Sequence, residues 1–275
     1  MSVSDNSQGT VSRVIHLLGH LAENQHTSIK DVSHALGLPP STCHRLLDIL
    51  VREGIVERDP KGRRYRVGVE FFRIAALANQ HFDIREVARP FLKSVVERCD
   101  ETCVLSLYDT AAGRMMYAEK HDSSQLLRYQ LPMNRPVSVL WGASGKAIAA
   151  YLSPEEIERL HASEAAAPAS GEPLPPLALL KEQLRRVRDD GFAISFGQKI
   201  AGAVGINAPV FGVGGAIVGS LGVTIPEIRA AGVDMERLTN LVMNAAESLS
   251  EVIGGPKVTR TVTSEISDTA ARAPL

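Results

Sequence analysis

Apolar residues near the start of the chain recur every three or four positions in three short segments, which predicts three amphipathic helices. The first helix begins near Thr10, the second follows Ser28 as its N-cap, and the third begins at Ser41. Residues 55–58 and 65–67 then alternate like two short strands around an Asp-Pro-Lys-Gly turn. Three helices followed by a small hairpin predict a winged helix-turn-helix over residues 8–68.

Beyond this unit the pattern predicts an α+β fold. Residues 69–82 are predicted to form a linker helix, and the helix after it contains Pro90, which is expected to cause a kink or a restart. From residue 101 the apolar period changes, so we expect an antiparallel sheet of about six strands with flanking helices over residues 83–254. The predicted strands cover residues 102–109, 114–121, 126–131, 192–199, 203–211 and 216–224. Residues 255–275 are expected to be disordered.

The charge of the chain is distributed unevenly. The 275 residues have a formal net charge of −1, but residues 1–80 carry ten Lys and Arg against eight Asp and Glu, while residues 81–275 carry twenty against twenty-three. The basic excess is concentrated in residues 58–66, which hold five cations and one anion. A near-neutral chain with one cationic hairpin indicates a local partner for that hairpin rather than general affinity for polyanions.

Composition excludes several other classes of protein. No apolar run reaches the about 18–20 residues that span a bilayer, and the first ten residues lack the features of a signal peptide, so we expect a cytoplasmic protein with no membrane contact. Three cysteines do not form a disulfide framework. Cys99 and Cys103, and also His16 and His20, are four residues apart, but neither pair has the further ligands of a zinc site. We therefore predict no metal and no cofactor.

The third predicted helix has the features of a DNA-recognition helix. In a helix-turn-helix, the start of the second helix of the motif reaches base edges in the major groove. Arg45 can donate two hydrogen bonds to one guanine, and the basic hairpin can contact phosphates. The predicted DNA-binding residues are Ser41, Thr42, His44 and Arg45 on the helix, and Lys61, Arg63, Arg64, Tyr65 and Arg66 on the hairpin.

These segments resemble the isocitrate-lyase-regulator (IclR) family of bacterial transcription factors from about residue 9 to residue 254. The resemblance rests on LPPSTCHRLLDILVREGIVERD and RYRVG, and continues through FDIREVARPFLKSVVERCDETCVLSLYD, GASGKAIAAYL, LRRVRDDGFAIS, INAPVF and GSLGVTIP. It implies a winged-helix repressor or activator whose C-terminal domain has a GAF-like fold and binds a small molecule. It also implies assembly into dimers or tetramers.

The resemblance further implies an effector pocket formed by the GxxGKA loop and the last three strands. The matching positions are Trp141, Ala143, Ser144, Ser195, Gly205, Gly222 and Thr224. Many relatives carry an acidic run after the Ser195 position, whereas this chain has SFGQK. Trp141 suits an aromatic or bulky organic acid, although core packing or a protein interface would also explain it. The helix that starts near Ser144 is expected to direct backbone N–H groups at a carboxylate.

The same loop matches neither of the two catalytic motifs that it resembles. The run GASGK fits neither GxxxxGK[ST] nor GxSxG, so we predict no enzymatic activity. We expect a repressor that binds a palindromic DNA operator as a homo-oligomer and responds to a small organic acid. The alternatives are a DNA-binding regulator without a ligand, an enzyme acting on a small acid with a vestigial DNA-binding domain, and a redox sensor that uses Cys99 and Cys103.

Overall fold

The computed structural model describes residues 9–24, 26–61, 63–79, 82–164 and 166–256. The predicted tail lies outside these residues except for its first two positions. The chain divides into two compact units between Phe82 and Asp83, and each is described by itself. No helix in the described ranges is long and apolar enough to cross a membrane.

The first unit is a three-helix bundle followed by a hairpin and a fourth helix. Its elements are α1 (Thr10–Glu23), α2 (Ile29–Leu36), α3 (Pro40–Arg52), β1 (Val56–Arg58), β2 (Tyr65–Val67) and α4 (Val69–Asn79). A capping box starts α2, because the Ser28 and Asp31 side chains each accept a hydrogen bond from the other residue's backbone N–H. Proline occupies the first position of α3, one residue before the predicted start.

The core of the first unit includes a residue that the sequence analysis placed on the surface. Leucines from α1 and α3 pack with Val32, Val56 and Tyr65. The Tyr65 side chain is 1% exposed, so its expected projection from the hairpin is wrong. In the two-residue period of β2, Tyr65 falls on the inner face and Arg66 on the outer face.

The second unit is built on one five-stranded antiparallel sheet of order β4-β3-β7-β6-β5. The strands are β3 (Thr102–Asp109), β4 (Arg114–His121), β5 (Ala193–Phe196), β6 (Ala203–Phe211) and β7 (Ile217–Pro226). The helices are α5 (Ile84–Cys99), α6 (Gly142–Ala149), α7 (Pro154–Ser163), α8 (Leu177–Asp190), α9 (Glu227–Ala230) and α10 (Met235–Val252). The predicted α+β class with an antiparallel sheet is confirmed.

Two local predictions for the second unit are wrong. Residues 126–131 form no strand; only Met133 and Val137, further along, make isolated bridges to β4. Two prolines in residues 132–136 offer no backbone N–H for a ladder, and Asn134 between them is left-handed with φ 56°. The expected restart at Pro90 is wrong, because α5 runs through it to Cys99, whereas the expected kink stays a prediction. Pro90 lies on the exposed side of the helix, where water can satisfy the carbonyl that it leaves without a donor.

The two faces of the sheet differ in character. On one face, inward residues of β3, β6 and β7 pack with α5 and α10 in a purely apolar cluster. The opposite face of β6 and β7 carries small and polar residues, and α6 packs over it. Across this face, Ser195, Gly205 and Thr224 form one lateral row, and Asn207 pairs with Gly222 in the next row. The second face therefore has less apolar bulk and more hydrogen-bonding groups.

Candidate DNA-binding surface and effector cavity

The start of α3 presents polar side chains at the surface of the first unit. Ser41, His44 and Arg45 are exposed and Thr42 is half-buried, while Cys43, Leu46 and Leu47 face the core. Arg45 makes no ion pair with any described residue, so its guanidinium is available to a partner. These positions have the geometry that a recognition helix requires.

His44 is partly engaged within the protein. Its Nδ1 lies 2.8 Å from Asp48 Oδ2, one helical turn away, and Asp48 Oδ1 lies 3.4 Å from Arg58 on β1. Arg58 also donates to the buried Tyr65 hydroxyl, with Nε at 3.0 Å. This chain of contacts fixes the hairpin strand against α3 and leaves only the Nε2 edge of His44 for an outside partner.

The hairpin cations divide into two groups. Arg66 pairs with Glu57 across the strands at 2.8 Å, and Arg64 donates to the backbone carbonyl of His26 at 2.8 Å. Lys61 and Arg63 are exposed, and their side chains form no ion pair with the described residues. The turn itself is stabilised by Asp59, whose Oδ1 accepts from the backbone N–H groups of Arg63 and Arg64. Of the predicted hairpin set, Lys61 and Arg63 are the cations with no partner in the described protein.

The second unit contains a small cavity between α6 and the polar face of the sheet. Its volume is about 40 Å³, room for about three water molecules. Five of the seven predicted effector residues line it: Ala143, Ser144, Ser195, Gly205 and Thr224. The sheet register brings the last three together, because they lie in one row across β5, β6 and β7.

Trp141 and Gly222 are not among the cavity-lining residues. Trp141 is the N-cap residue of α6 and is 3% exposed, so the indole that suggested an aromatic ligand is packed elsewhere in the protein. Gly222 supports the lining indirectly. A Cβ at this position would lie 2.3 Å from Asn207 Cγ, so glycine is the residue that lets the Asn207 amide lie against β7.

The first N–H groups of α6 are already hydrogen-bonded. The Gly142 N–H donates to Gln198 Oε1 at 3.1 Å, and the Ala143 N–H donates to Ser195 Oγ at 2.8 Å. The expectation that this helix start offers free N–H groups to a carboxylate is therefore wrong for these two groups. Side chains from β5 and the segment after it take the place of a ligand.

Lys199 and Asn207 are two of the cavity residues that the sequence analysis did not predict. Lys199 follows β5 and packs its aliphatic stem on Gly142, and its Nζ lies 3.4 Å from Met115 Sδ and 5.7 Å from the centroid of the Tyr117 ring. Burial lowers the pKa of the Lys199 ammonium to about 7, and the negative charge of Glu164 opposes this effect. Asn207 is 3% exposed and its Oδ1 has no hydrogen-bond donor in the described protein.

The sequence contains a different signal for each of these two residues. A lone asparagine in the apolar run of β6, two residues after Gly205, falls on the predicted pocket face by the two-residue period. Lys199 ends the predicted strand 192–199, where the two-residue period places it on the same face as Ser195, but β5 ends at Phe196 and the period does not extend to Lys199 in the structure.

The cysteines have no features of a redox pair. Cys103 is fully buried, and burial raises the pKa of its thiol; burial also raises the pKa of the Cys99 thiol. The thiolate is the reactive form, so both shifts disfavour oxidation chemistry. Among the described residues, no group of three or more His, Cys, Asp and Glu could hold a metal ion.

The first unit is a helix-turn-helix with a polar third helix and a basic hairpin, and the second is an α+β unit with a cavity. This combination defines a class of protein, the DNA-binding transcriptional regulators that carry a second domain of the effector-binding type. Residues 10–60 match the IclR helix-turn-helix domain, and residues 76–251 match the C-terminal domain of bacterial IclR transcriptional regulators. The chain belongs to the IclR family of transcriptional regulators.

Relatives of known name and solved structures agree with this assignment. The chain is 26% identical to the HTH-type transcriptional regulator KipR of Bacillus subtilis, over 90% of this chain and 98% of that protein. A Silicibacter protein described as an IclR transcriptional regulator is 27% identical and superimposes with a TM-score of 0.81, over 90% and 97% of the two chains. An IclR homologue of Microbacterium hydrocarbonoxydans in complex with 4-hydroxybenzoate shares the fold, with 21% identity, a TM-score of 0.55 and coverage of 89% and 99%.

Proposed function

We propose that this protein is a cytoplasmic repressor that binds a palindromic operator as a homo-oligomer and releases it when a small organic acid binds to the second unit. The observation that carries the DNA-binding part is the exposed start of α3, where Arg45 has no partner among the described residues beside the core-facing Leu46 and Leu47. Arg45 reads a guanine edge, Ser41, Thr42 and His44 contact neighbouring bases or phosphates, and the hairpin cations contact the backbone.

A second copy of the chain is the partner best suited to α4. This helix exposes Val69, Phe72, Ile74 and Leu77, between 48% and 73% of each side chain. An exposed apolar helix surface of this kind is typical of a protein interface. Pairing two copies through α4 places two recognition helices about a two-fold axis, which is the symmetry of a palindromic operator.

The cavity supports the effector part of the proposal. It is lined by hydrogen-bonding groups and one ammonium, and anionic ligands favour such surroundings. The 4-hydroxybenzoate complex belongs to another protein of the same fold. For this chain we propose an organic acid without a preference for aromatic rings, because Trp141 lies outside the lining.

The DNA-binding part is tested by fluorescence anisotropy with the DNA upstream of the chain's own gene. Arg45→Ala should weaken specific binding by about 1–3 kcal/mol and relax base preference at one position. Arg52→Ala is the matched control, because it removes an exposed arginine two turns further along α3, about 10 Å away. Equal loss for both variants, or no binding by the parent protein at low salt, would refute the assignment.

Lys61→Ala and Arg63→Ala should act differently from Arg45→Ala. Each should weaken binding to all DNA sequences equally and reduce the slope of log K against log salt by about 1, because each removes one phosphate contact. The effector part is tested by adding small acids to the protein–DNA complex. Release of DNA without chemical change of the acid supports a sensor; turnover of the acid would indicate an enzyme, and no effect of any acid would indicate a regulator without a ligand.

A further inference from the structure

Among the described residues of the second unit, Lys199 is a cation without a counter-ion. It makes no ion pair with a described carboxylate, and its Nζ is surrounded by the Met115 sulfur and the Tyr117 ring. The acidic group that acts on it is Glu164, which is itself paired with Arg114 at 3.2 Å and accepts a hydrogen bond from Ser138. A buried charge with no partner is costly, so its presence at a cavity points to a ligand that completes the pair.

Asn207 provides an independent second observation at the same cavity. Its side chain is almost fully buried, and its Oδ1 is an acceptor without a donor in the described protein. Buried amide oxygens are nearly always hydrogen-bonded, so an unpaired one in a ligand cavity indicates a donor supplied by the ligand. Two donors on the same side of the sheet bond elsewhere: the Ala143 N–H donates to Ser195 Oγ, and the Ser220 hydroxyl donates to the Ser144 carbonyl.

We propose that Lys199 and Asn207 recognise the effector together, and that the effector is a hydroxy-substituted carboxylic acid. The Lys199 ammonium pairs with the carboxylate, and Asn207 Oδ1 accepts a hydrogen bond from the hydroxyl. This inference rests on the proposed function of the cavity as the effector site. It names the class of ligand by an ammonium without a counter-ion and an amide oxygen without a donor among the described residues.

This arrangement differs from an effector site in which the backbone N–H groups at the start of a helix bind the carboxylate. Because Gln198 and Ser195 cap the first two N–H groups of α6, those groups cannot also bind the carboxylate. The positive charge comes instead from the residue next to Gln198. The Lys199 stem fills space beside Gly142, so a ligand larger than about three water molecules enters by moving this stem.

The test measures binding of matched pairs of acids to the full-length protein by calorimetry. Each pair differs by one hydroxyl: glycolate and acetate, lactate and propionate, 3-hydroxybutyrate and butyrate, mandelate and phenylacetate, 4-hydroxybenzoate and benzoate. At least one hydroxy acid should bind more tightly than its partner, by about threefold to tenfold for one neutral hydrogen bond. Its neutral methyl ester should bind about tenfold or more weakly than the acid, because the charge-assisted bond is lost.

Variants then assign the two contacts. Lys199→Met should weaken the acid about tenfold or more and leave the ester unchanged, Lys199→Arg should restore part of the affinity, and the exposed control Lys93→Met should change nothing. Asn207→Ala should remove the preference for the hydroxyl while acetate-type partners bind as before. Circular dichroism checks that each variant is folded, and the more conservative Asn207→Ser replaces any Asn207→Ala protein that is not.

The outcomes separate the two proposals. If acids bind and release DNA but Lys199→Met leaves their affinity unchanged, or Asn207→Ala keeps the hydroxyl preference, the assignment to Lys199 and Asn207 is overturned while the sensor function stands. If no acid of the panel binds to the parent protein, both are overturned.

Discussion

Replacing Lys199 by Met should stabilise the second unit, and the gain should depend on pH. Methionine keeps the length of the side chain and removes the charge that burial penalises. Lysine 199 in the folded protein has a pKa of about 7 against an ordinary value of 10.5. The unfolded chain therefore binds one more proton than the folded protein between these two pH values, so wild-type stability rises with pH across this window.

The size of the expected gain in stability follows from the width of this pH window. The difference between 10.5 and about 7 is about 3.5 pH units, and each unit corresponds to about 1.4 kcal/mol, which sets an upper limit of about 5 kcal/mol. The side chain keeps some exposure to solvent, so we expect about half of this value, about 2–3 kcal/mol, below pH 7. The advantage of Lys199→Met should be full at pH 6 and should shrink steadily from pH 7 towards pH 10.

The chain provides a convenient probe for this measurement. Trp141 is its one tryptophan and is buried in the second unit, so its fluorescence during urea unfolding reports this unit separately. Wild type, Lys199→Met and the exposed control Lys93→Met are compared at pH 6, 7, 8 and 9. Parallel pH profiles for wild type and Lys199→Met, or a Met variant that is less stable at pH 6, would show that the ammonium is solvated and would refute the reasoning.

Four further substitutions, at three positions, test other features of the structure. Tyr65→Phe should keep DNA affinity within about threefold, because this side chain is buried and its hydroxyl bonds to Arg58. Tyr65→Ala should lower the free energy of unfolding by about 3–5 kcal/mol and abolish DNA binding by unfolding the first unit. A folded Tyr65→Phe protein with tenfold weaker DNA binding would show that the hydroxyl contacts DNA. Gly222→Ala should destabilise the second unit by about 1–3 kcal/mol in the same fluorescence assay, because the new Cβ would lie 2.1 Å from the Ile206 carbonyl oxygen. Gly19 on α1 has open space around it, so Gly19→Ala should stabilise the first unit by up to about 1 kcal/mol, as measured by circular dichroism.

The elements that periodicity predicts well are those that bury one continuous stripe. The three helices of the first unit and the paired strands of the second fall where the apolar spacing placed them, because burial of a face and the backbone pattern agree there. The exceptions have local causes. Residues 126–131 alternate in hydrophobicity without finding a ladder, and Pro90 remains within α5 because the carbonyl that loses its donor faces water.

Side-chain direction limits what could be predicted of the sites. Tyr65 sits among cations in the sequence, yet a strand alternates its faces, so one tyrosine enters the core while Arg66 beside it stays outside. Trp141 precedes the loop predicted to bind the effector, but it is buried and does not line the cavity. Lys199 shows the reverse: an ordinary surface residue type in a loop enters the cavity. Such directions depend on tertiary packing, which no local pattern contains.

The two sites use positive charge in physically opposite ways. Lys61 and Arg63 are exposed, so salt screens them, and in the proposed function they contribute DNA affinity without a cost to stability. Lys199 is largely enclosed, so its charge lowers the stability of the unliganded unit, and a carboxylate that pairs with it removes that penalty on binding. At the same effector concentration, the unfolding temperature of wild type should therefore rise more than that of the Lys199→Met variant, because relief of the unpaired charge makes binding to wild type tighter. Equal shifts at the same concentration would mean that the carboxylate is held by other groups.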